Sequence, residues 1–198
     1  MTDTSKRRIV VAMTGATGAV YGVRLLEELR RVGGIETHVV VSKAGFLSAS
    51  TELGIGKREI ESLAAVAHAE RDIGASIASG SFKTDGMIVA PCSMRTLAAV
   101  ATGVTDNLVT RAADVTLKER RRLVLVARET PLTLVHLRNM VTVTEMGAVV
   151  FPPVPAFYAK LDSLDAMIDQ TVGRVLDLFA IDSPLVRRWS GVRAPTDE

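Results

Sequence analysis

The sequence predicts an α/β protein: a doubly wound, mostly parallel sheet with helices on both faces, reached by right-handed crossovers. Three observations lead there. Short β-rich apolar runs alternate with stretches of helical periodicity, two strand–turn–helix units of similar design stand at residues 9–29 and 86–103, and no linker-like stretch divides the chain.

In the first unit, the run Ile9-Val10-Val11-Ala12-Met13 meets a turn of small residues, Thr14-Gly15-Ala16-Thr17-Gly18-Ala19. Beyond it Val23, Leu25, Leu26 and Leu29 recur at helical spacing. Gly15 and Gly18 let the backbone turn sharply and approach a ligand, while Thr14 and Thr17 offer hydroxyls and a helix cap. The start of such a helix attracts anions. The spacing is not that of a GxGxxG dinucleotide loop, and no Gly-Lys-Ser/Thr follows to make a P-loop. In the second unit, the strand Met87 to Ala90 is stopped by Pro91, and Ser93 and Thr96 head an Ala/Leu helix. Either the two loops meet at the sheet's carboxyl edge and hold a phosphorylated cofactor, or they merely turn the chain.

The remaining elements follow in order. Gly33-Gly34 ends the first helix, and Thr37 to Ser42 alternates into a second strand. Lys43 to Leu53 reads as a helix with Phe46, Leu47 and Leu53 inward, broken by Gly54 and Gly56. Lys57 to Ala69 continues a helical pattern. The Gly/Ser-rich stretch Ile73 to Ser81 is too small and polar for core, and reads as a lid or ligand-facing loop. Asn107 to Arg120 is a helix with Leu108, Ala112 and Val115 on one face and Arg111, Asp114 and Lys118 on another. Arg122 to Ala127 is a buried strand, Leu134 to Met146 a helix and Ala148 to Phe151 a strand. Prolines stiffen residues 152–158, and Leu164 to Phe179 closes the fold as an amphipathic helix.

Composition narrows the function. A chain of 198 residues can bury a substantial core as one domain, and 24 basic against 22 acidic residues is too even a balance to suggest nucleic acid. The single Cys92 excludes an internal disulfide and fits a reducing compartment. No apolar run reaches membrane-spanning length, so a cytoplasmic protein away from membranes is expected. His38, His68 and His136 show no metal-ligand spacing, with His68 on a polar helix face, and no metal site is expected.

Several residues admit two readings. Arg128 and Glu129 end a strand, where an α/β fold places its chemistry: a forked cation for phosphate beside a proton acceptor, or equally a surface ion pair. Lys118 and Arg111 fit a salt-bridged helix face with Asp114, and Arg174 among apolar neighbours fits a snorkelling side chain. Tyr158 presents its hydroxyl to a ligand or packs on the sheet edge. Cys92 is a nucleophile or, more simply, a small buried residue.

Five segments read together settle the direction. MTGATGA (Met13 to Ala19), SGSF (Ser79 to Phe82), APCSMRTLAAVATG (Ala90 to Gly103), NLVTRAADVTLKERRRLVLVARETPL (Asn107 to Leu132) and GAVVFPPVPAFY (Gly147 to Tyr158) resemble the flavin prenyltransferase family of the UbiX/Pad type. The similarity runs from about Arg8 to Trp189.

The resemblance implies a single Rossmann-like flavoprotein domain, expected over 8–181, between a flexible tail at 1–7 and a C-terminal tail at 182–198 whose Trp189 could fold over the active site. It implies a dodecamer with sites at subunit interfaces. The reaction would join a dimethylallyl group, from dimethylallyl monophosphate, to N5 and C6 of reduced FMN without a metal. Its product, prenylated FMN, would pass to a UbiD-type decarboxylase. By motif, Gly15, Ala16, Thr17, Ser42, Ser93, Met94, Arg95, Thr96 and Arg128 would hold FMN. Lys118, Arg128, Tyr158 and Arg174 would grip the prenyl phosphate, with Glu52, Arg111 and Trp189 near the pocket. Glu129 would handle protons, and Lys118 and Thr17 would assist the chemistry. Thr17 stands where many relatives have serine, and Ile73 where some have tryptophan. A related flavoprotein class decarboxylates cysteinyl substrates with a catalytic His and a late-chain Cys; the only Cys of this sequence is at position 92, which argues against that reading. A non-catalytic FMN carrier is the third reading; it would tolerate loss of Glu129 and Lys118.

Overall fold

The structure, a computed structural model, describes residues 6–191. Met1 to Ser5 of the expected N-terminal tail, and residues 192–198 of the expected C-terminal tail, lie outside the described residues. The strands are β1 (Arg7–Met13), β2 (Ile35–Val41), β3 (Val66–His68), β4 (Gly86–Cys92), β5 (Arg122–Ala127) and β6 (Val149–Val150). They form one six-stranded sheet in the order β3-β2-β1-β4-β5-β6, and every pairing is parallel. The order reverses between β1 and β4, and their carboxyl ends diverge there into different loops.

Side-chain alternation along the strands divides the core in two. Ile9, Val11, Met13, Ile88, Val124 and Val126 face one side. They pack on α1 (Ala19–Val32) through Leu25, Leu26 and Leu29, and on α7 (Leu164–Asp177) through Ile168, Val172, Val175 and Leu176. α2 (Lys43–Leu53) and α3 (Lys57–Ser62) add Ala49 and Ile60 on that side. Val10, Ala12, Met87, Val89, Leu123 and Leu125 face the other. There they meet α4 (Met94–Thr102), α5 (Leu108–Lys118) and α6 (Leu134–Glu145) through Leu97, Leu108, Ala112 and Val143. Leu26 is fully buried, and trimming it to Ala would cost about 2–5 kcal/mol through lost transfer energy and the cavity left behind.

Four expectations are corrected. The helical pattern at Lys57 to Ala69 ends at Ser62, and Val66–His68 instead adds strand β3, so His68 sits on a strand rather than on a polar helix face. Three residues at a sheet edge are too few to show a period, whereas Ile60, Leu63 and Ala64 mimic a helical stripe. In the Gly/Ser-rich stretch, a helical turn at Ser76–Ala78 buries Ile77 and Ala78 in the core. Leu47 and Leu53 face outward, Leu47 being 69% exposed, while Phe46 is half-buried. β6 spans only Val149–Val150. Among the described residues no helix is long and apolar enough to cross a membrane.

Candidate active site

The two glycine-bearing loops meet, and Thr14 joins them. Its hydroxyl donates to the carbonyl of Pro91 at 2.9 Å and accepts from the N–H of Ser93 at 2.9 Å, and its own N–H donates to Pro91 at 3.1 Å. Thr14 is 2% exposed, so these bonds are shielded from water. Neighbouring strand ends are laced in the same way: Ser42 N–H donates to Met13, and Arg128 N–H to Cys92.

The cap of α1 differs from expectation. Neither threonine caps it; the cap is Gly18, at φ +96°, a left-handed conformation that a side chain would strain. The free N–H groups there are taken by Glu52 of α2, whose carboxylate accepts from Gly18 at 2.9 and 3.2 Å and from Ala19 at 2.9 Å. The anion at this helix start is therefore a side chain, held by the helix dipole and two backbone donors.

At the carboxyl edge opens a cleft of about 920 Å³. Sequence-predicted residues on its wall are Gly15, Ser42, Ser93, Met94, Arg95, Thr96 and Glu129. The starts of α2, α4 and α5 converge on it, capped by Ser42, Ser93 and Asn107, and none carries an acidic residue in its first turn. In α4 the Ser93 hydroxyl takes the N–H of Thr96, while Met94 and Arg95 keep N–H groups with no protein partner among the described residues. Helix dipole, unpaired donors and the cations Lys43, Lys57 and Arg95 suit a phosphate. Phe46, Leu47, Ile55 and Val109 supply apolar wall for a flat ring.

A second hollow of about 410 Å³ shares Gly15, Ser93, Met94 and Glu129 with the first, and adds Ala16, Thr17, Arg128 and the proline wall Pro152-Pro153. Glu129 lines both spaces. Arg128 points back over the first loop, donating from Nε to the carbonyl of Thr17 at 3.2 Å, with its guanidinium 6.0 Å from the ring centre of Tyr21.

The other predicted residues lie elsewhere on the chain. Tyr158, Arg174 and Trp189 line a separate pocket of about 310 Å³ with Val186 and Arg188. Trp189 packs edge-on to Tyr158, centroids 5.4 Å apart at 82°. Arg111 pairs with Asp114 at 2.9 Å and donates to the carbonyl of Ala78 at 3.2 Å. Lys118 binds Glu119, whose carboxyl it holds below the ordinary carboxylate range. It ends α5, about 16 Å along the helix axis from Asn107 at the cleft. Within one chain, then, Gly15, Ala16, Thr17, Ser42, Ser93 to Thr96, Arg128 and Glu129 come together, and Lys118, Arg111 and the Tyr158–Arg174 pair do not join them.

Residues the sequence did not single out also shape the cleft. Glu70 accepts from the N–H of Lys43 at 2.9 Å and its carbonyl accepts from Leu108, tying the starts of α2 and α5 together. Asn107 before an apolar helical run carries a capping signal that pointed to its place. Nothing local marks Glu70. Cys92 is fully buried, and burial pushes its thiol up to about 12, so it is the inert small residue of the simpler reading.

A protein-family profile described as Flavoprotein matches residues 1–176. The chain is 56% identical over 187 residues to the flavin prenyltransferase UbiX of Escherichia coli strain K12, covering 93% of this chain and 99% of that one. Among solved structures, AnUbiX in complex with FMN and dimethylallyl pyrophosphate matches with a TM-score of 0.92 at 55% identity, over 95% of this chain and 100% of that one. A dodecameric FMN-dependent UbiX-like decarboxylase from Escherichia coli O157:H7 matches with a TM-score of 0.91 at 49% identity, over 93% and 100%.

Proposed function

Because the chain belongs to the UbiX type of flavin prenyltransferases, we propose that it joins the dimethylallyl group of dimethylallyl monophosphate to N5 and C6 of reduced FMN, releasing phosphate. The observation that carries the reading is the Thr14 junction, which sets the free N–H groups at the head of α4 beside a cleft of flavin size. The site fits FMN on its own chemistry: unpaired helix-start donors and cations for the phosphate, and an apolar wall for the ring.

The flavin supplies the nucleophilic nitrogen and the ring carbon that receive the prenyl unit. Gly15, Ala16 and Thr17 line one side of the site, and at Gly15 even a Cβ would collide with Ala44 at the start of α2. Ser42 and Ser93 to Thr96 bind its phosphate and sugar. Arg128 stands at the mouth, where its fork neutralises charge without giving up a proton.

The prenyl ester must lose phosphate from an allylic carbon, so the largest demand is stabilising the charge that gathers on the leaving oxygen. Cations already in place meet it best. Arg174 and Tyr158 supply donors from the pocket they share, which one chain holds apart from the cleft, so they meet the flavin where copies pack together. Lys118 and Arg111 serve the same site from a neighbouring copy in a dodecamer, since one chain keeps them apart from the cleft. Glu129, which lines both hollows, would accept the ring proton lost as the fourth ring closes. Glu52 positions the first loop through Gly18 and Ala19. The tail from residue 182 bears on the ester pocket through Trp189.

The product, a modified flavin, serves a UbiD-type decarboxylase, and the reaction takes place in the cytoplasm. Anaerobic incubation of the protein with reduced FMN and the prenyl ester, read by the mass of the flavin, tests the assignment.

A further inference from the structure

The segment after α7 is bound down at three points. Ser183 donates to the carboxylate of Glu28 at 2.6 Å. Gln170, 2% exposed, clasps the backbone of Arg187, donating to its carbonyl at 3.2 Å and accepting from its N–H at 2.7 Å. Asp177 then takes Arg188 through both carboxylate oxygens, at 2.9 and 3.0 Å. The result is a strap that carries Val186, Arg188 and Trp189 against Tyr158 and Arg174, around the pocket of about 310 Å³.

Asp177 does more than hold the strap. The oxygen that accepts from Nη1 of Arg188 also accepts from Nη1 of Arg174, at 2.8 Å. Two guanidiniums that would repel one another are thereby kept on one side of one pocket by a single carboxylate whose side chain is only 17% exposed. The trio carries two positive charges and one negative, and the charge of Asp182 also acts on Arg188. Among the described residues, Nε of Arg188 and both Nε and Nη2 of Arg174 have no hydrogen-bond partner, leaving donors for an anion. The Asp177 carboxylate raises the proton affinity of Arg188, and Arg188 lowers that of Asp177, the pattern of an ionised pair.

We propose that Arg188 is, after Arg174, the second cation this pocket gives to the phosphoryl group of the prenyl ester, and that Asp177 is the positioning residue that sets it beside Arg174. This rests on the reading of the Tyr158–Arg174 pocket as the phosphate end of the ester site. A phosphate monoester gains charge as its C–O bond ionises, and two forked cations share that charge better than one. Asp177 neither touches the ester nor exchanges a proton with it; it fixes the angle between the two forks.

The test compares Arg188→Ala, Arg188→Lys, Asp177→Asn and Asp177→Glu with Arg174→Ala in the full chain. KM for dimethylallyl monophosphate, Kd for FMN and the thermal midpoint are measured for each. Arg188→Ala is expected to raise KM for the ester by about tenfold or more, the loss of one charge-assisted contact, while Kd for FMN stays within about twofold. Arg188→Lys should recover part of that loss, since charge is kept and the fork is not. Asp177→Asn should raise KM in the same direction, with Asp177→Glu between it and the parent protein. If Arg174→Ala raises KM and Arg188→Ala does not, Arg188 only ties down the strap and the proposal is overturned. If KM for the ester and Kd for FMN worsen together in Arg188→Ala, the effect is general loosening and the proposal is again overturned. If Arg174→Ala also leaves KM unchanged, the pocket is not the phosphate site, and the underlying reading falls first.

Discussion

The carboxylate of Glu52 lies across the start of α1, its Oε2 accepting from the backbone N–H of Gly18 at 2.9 Å. Ala19 donates to the same oxygen at 2.9 Å, so one side chain satisfies the N–H groups that no cap reaches. Glu52→Ala should therefore lower stability by about 1–2 kcal/mol, a strong cap together with its charge on the helix dipole. Chemical denaturation reads the change; a variant as stable as the parent would mean that water serves those donors equally well.

Thr14 makes a different prediction. Valine keeps its shape but removes the hydroxyl, leaving the N–H of Ser93 without its acceptor in a site closed to water. Thr14→Val should cost about 1–3 kcal/mol and weaken FMN binding, because the Ser93 turn that starts α4 would shift. FMN titration alongside denaturation checks both; lost stability with unchanged FMN affinity would separate the junction from the cleft.

Glu129→Gln should leave FMN affinity near that of the parent, since the change keeps the shape and removes only the proton acceptor. The expected signature is a flavin alkylated once but not closed into a fourth ring, seen as the parent's mass gain without the parent's absorption spectrum. Full turnover would remove Glu129 from the mechanism.

Stability should fall on mild acidification. The His38 and His68 rings are stacked with His38 Nδ1 2.9 Å from His68 Nε2, and Glu36 receives His38 Nε2 at 3.0 Å. Burial, and then the charge of His38, holds His68 below its ordinary value of 6.5. The folded chain thus binds the His68 proton less readily than the unfolded chain does. That contribution is fully present above pH 6.5 and is lost as pH drops below it. Thermal midpoints measured across that value should decline toward acid, and His68→Gln should flatten the decline. An unchanged slope in that variant would assign the acid sensitivity to other groups.

Much of this was legible before the fold was known, for physical reasons that differ by element. β1, β4 and β5 hold continuous apolar runs, β2 alternates before its Val39-Val40-Val41 end, and α1, α5 and α7 carry clean apolar stripes, so pattern alone places them. β3 escaped because an edge strand of three residues has no period to show. The meeting of the two loops followed from the rule that ligands gather where strand order reverses, but the atom that joins them, the Thr14 hydroxyl, could be found only in three dimensions. Glu52 was placed near the pocket by resemblance, while its contact with Gly18 spans helices that sequence spacing cannot relate. Tyr158 and Arg174 were grouped by resemblance, but the pocket they share was not legible, because the strap bringing Trp189 onto them is held by contacts between distant residues.

The central claim is that this cleft holds FMN while a prenyl ester ionises beside it, and turnover tests it most directly. The purified protein is incubated without oxygen with reduced FMN and, in parallel, dimethylallyl monophosphate or dimethylallyl diphosphate, and the flavin is weighed by mass spectrometry. The expected result is a flavin heavier by one five-carbon unit with the monophosphate, accompanied by release of inorganic phosphate. A gain seen only with the diphosphate would contradict the assigned donor, and an unaltered flavin with both esters, in protein shown to bind FMN, would contradict the assignment itself.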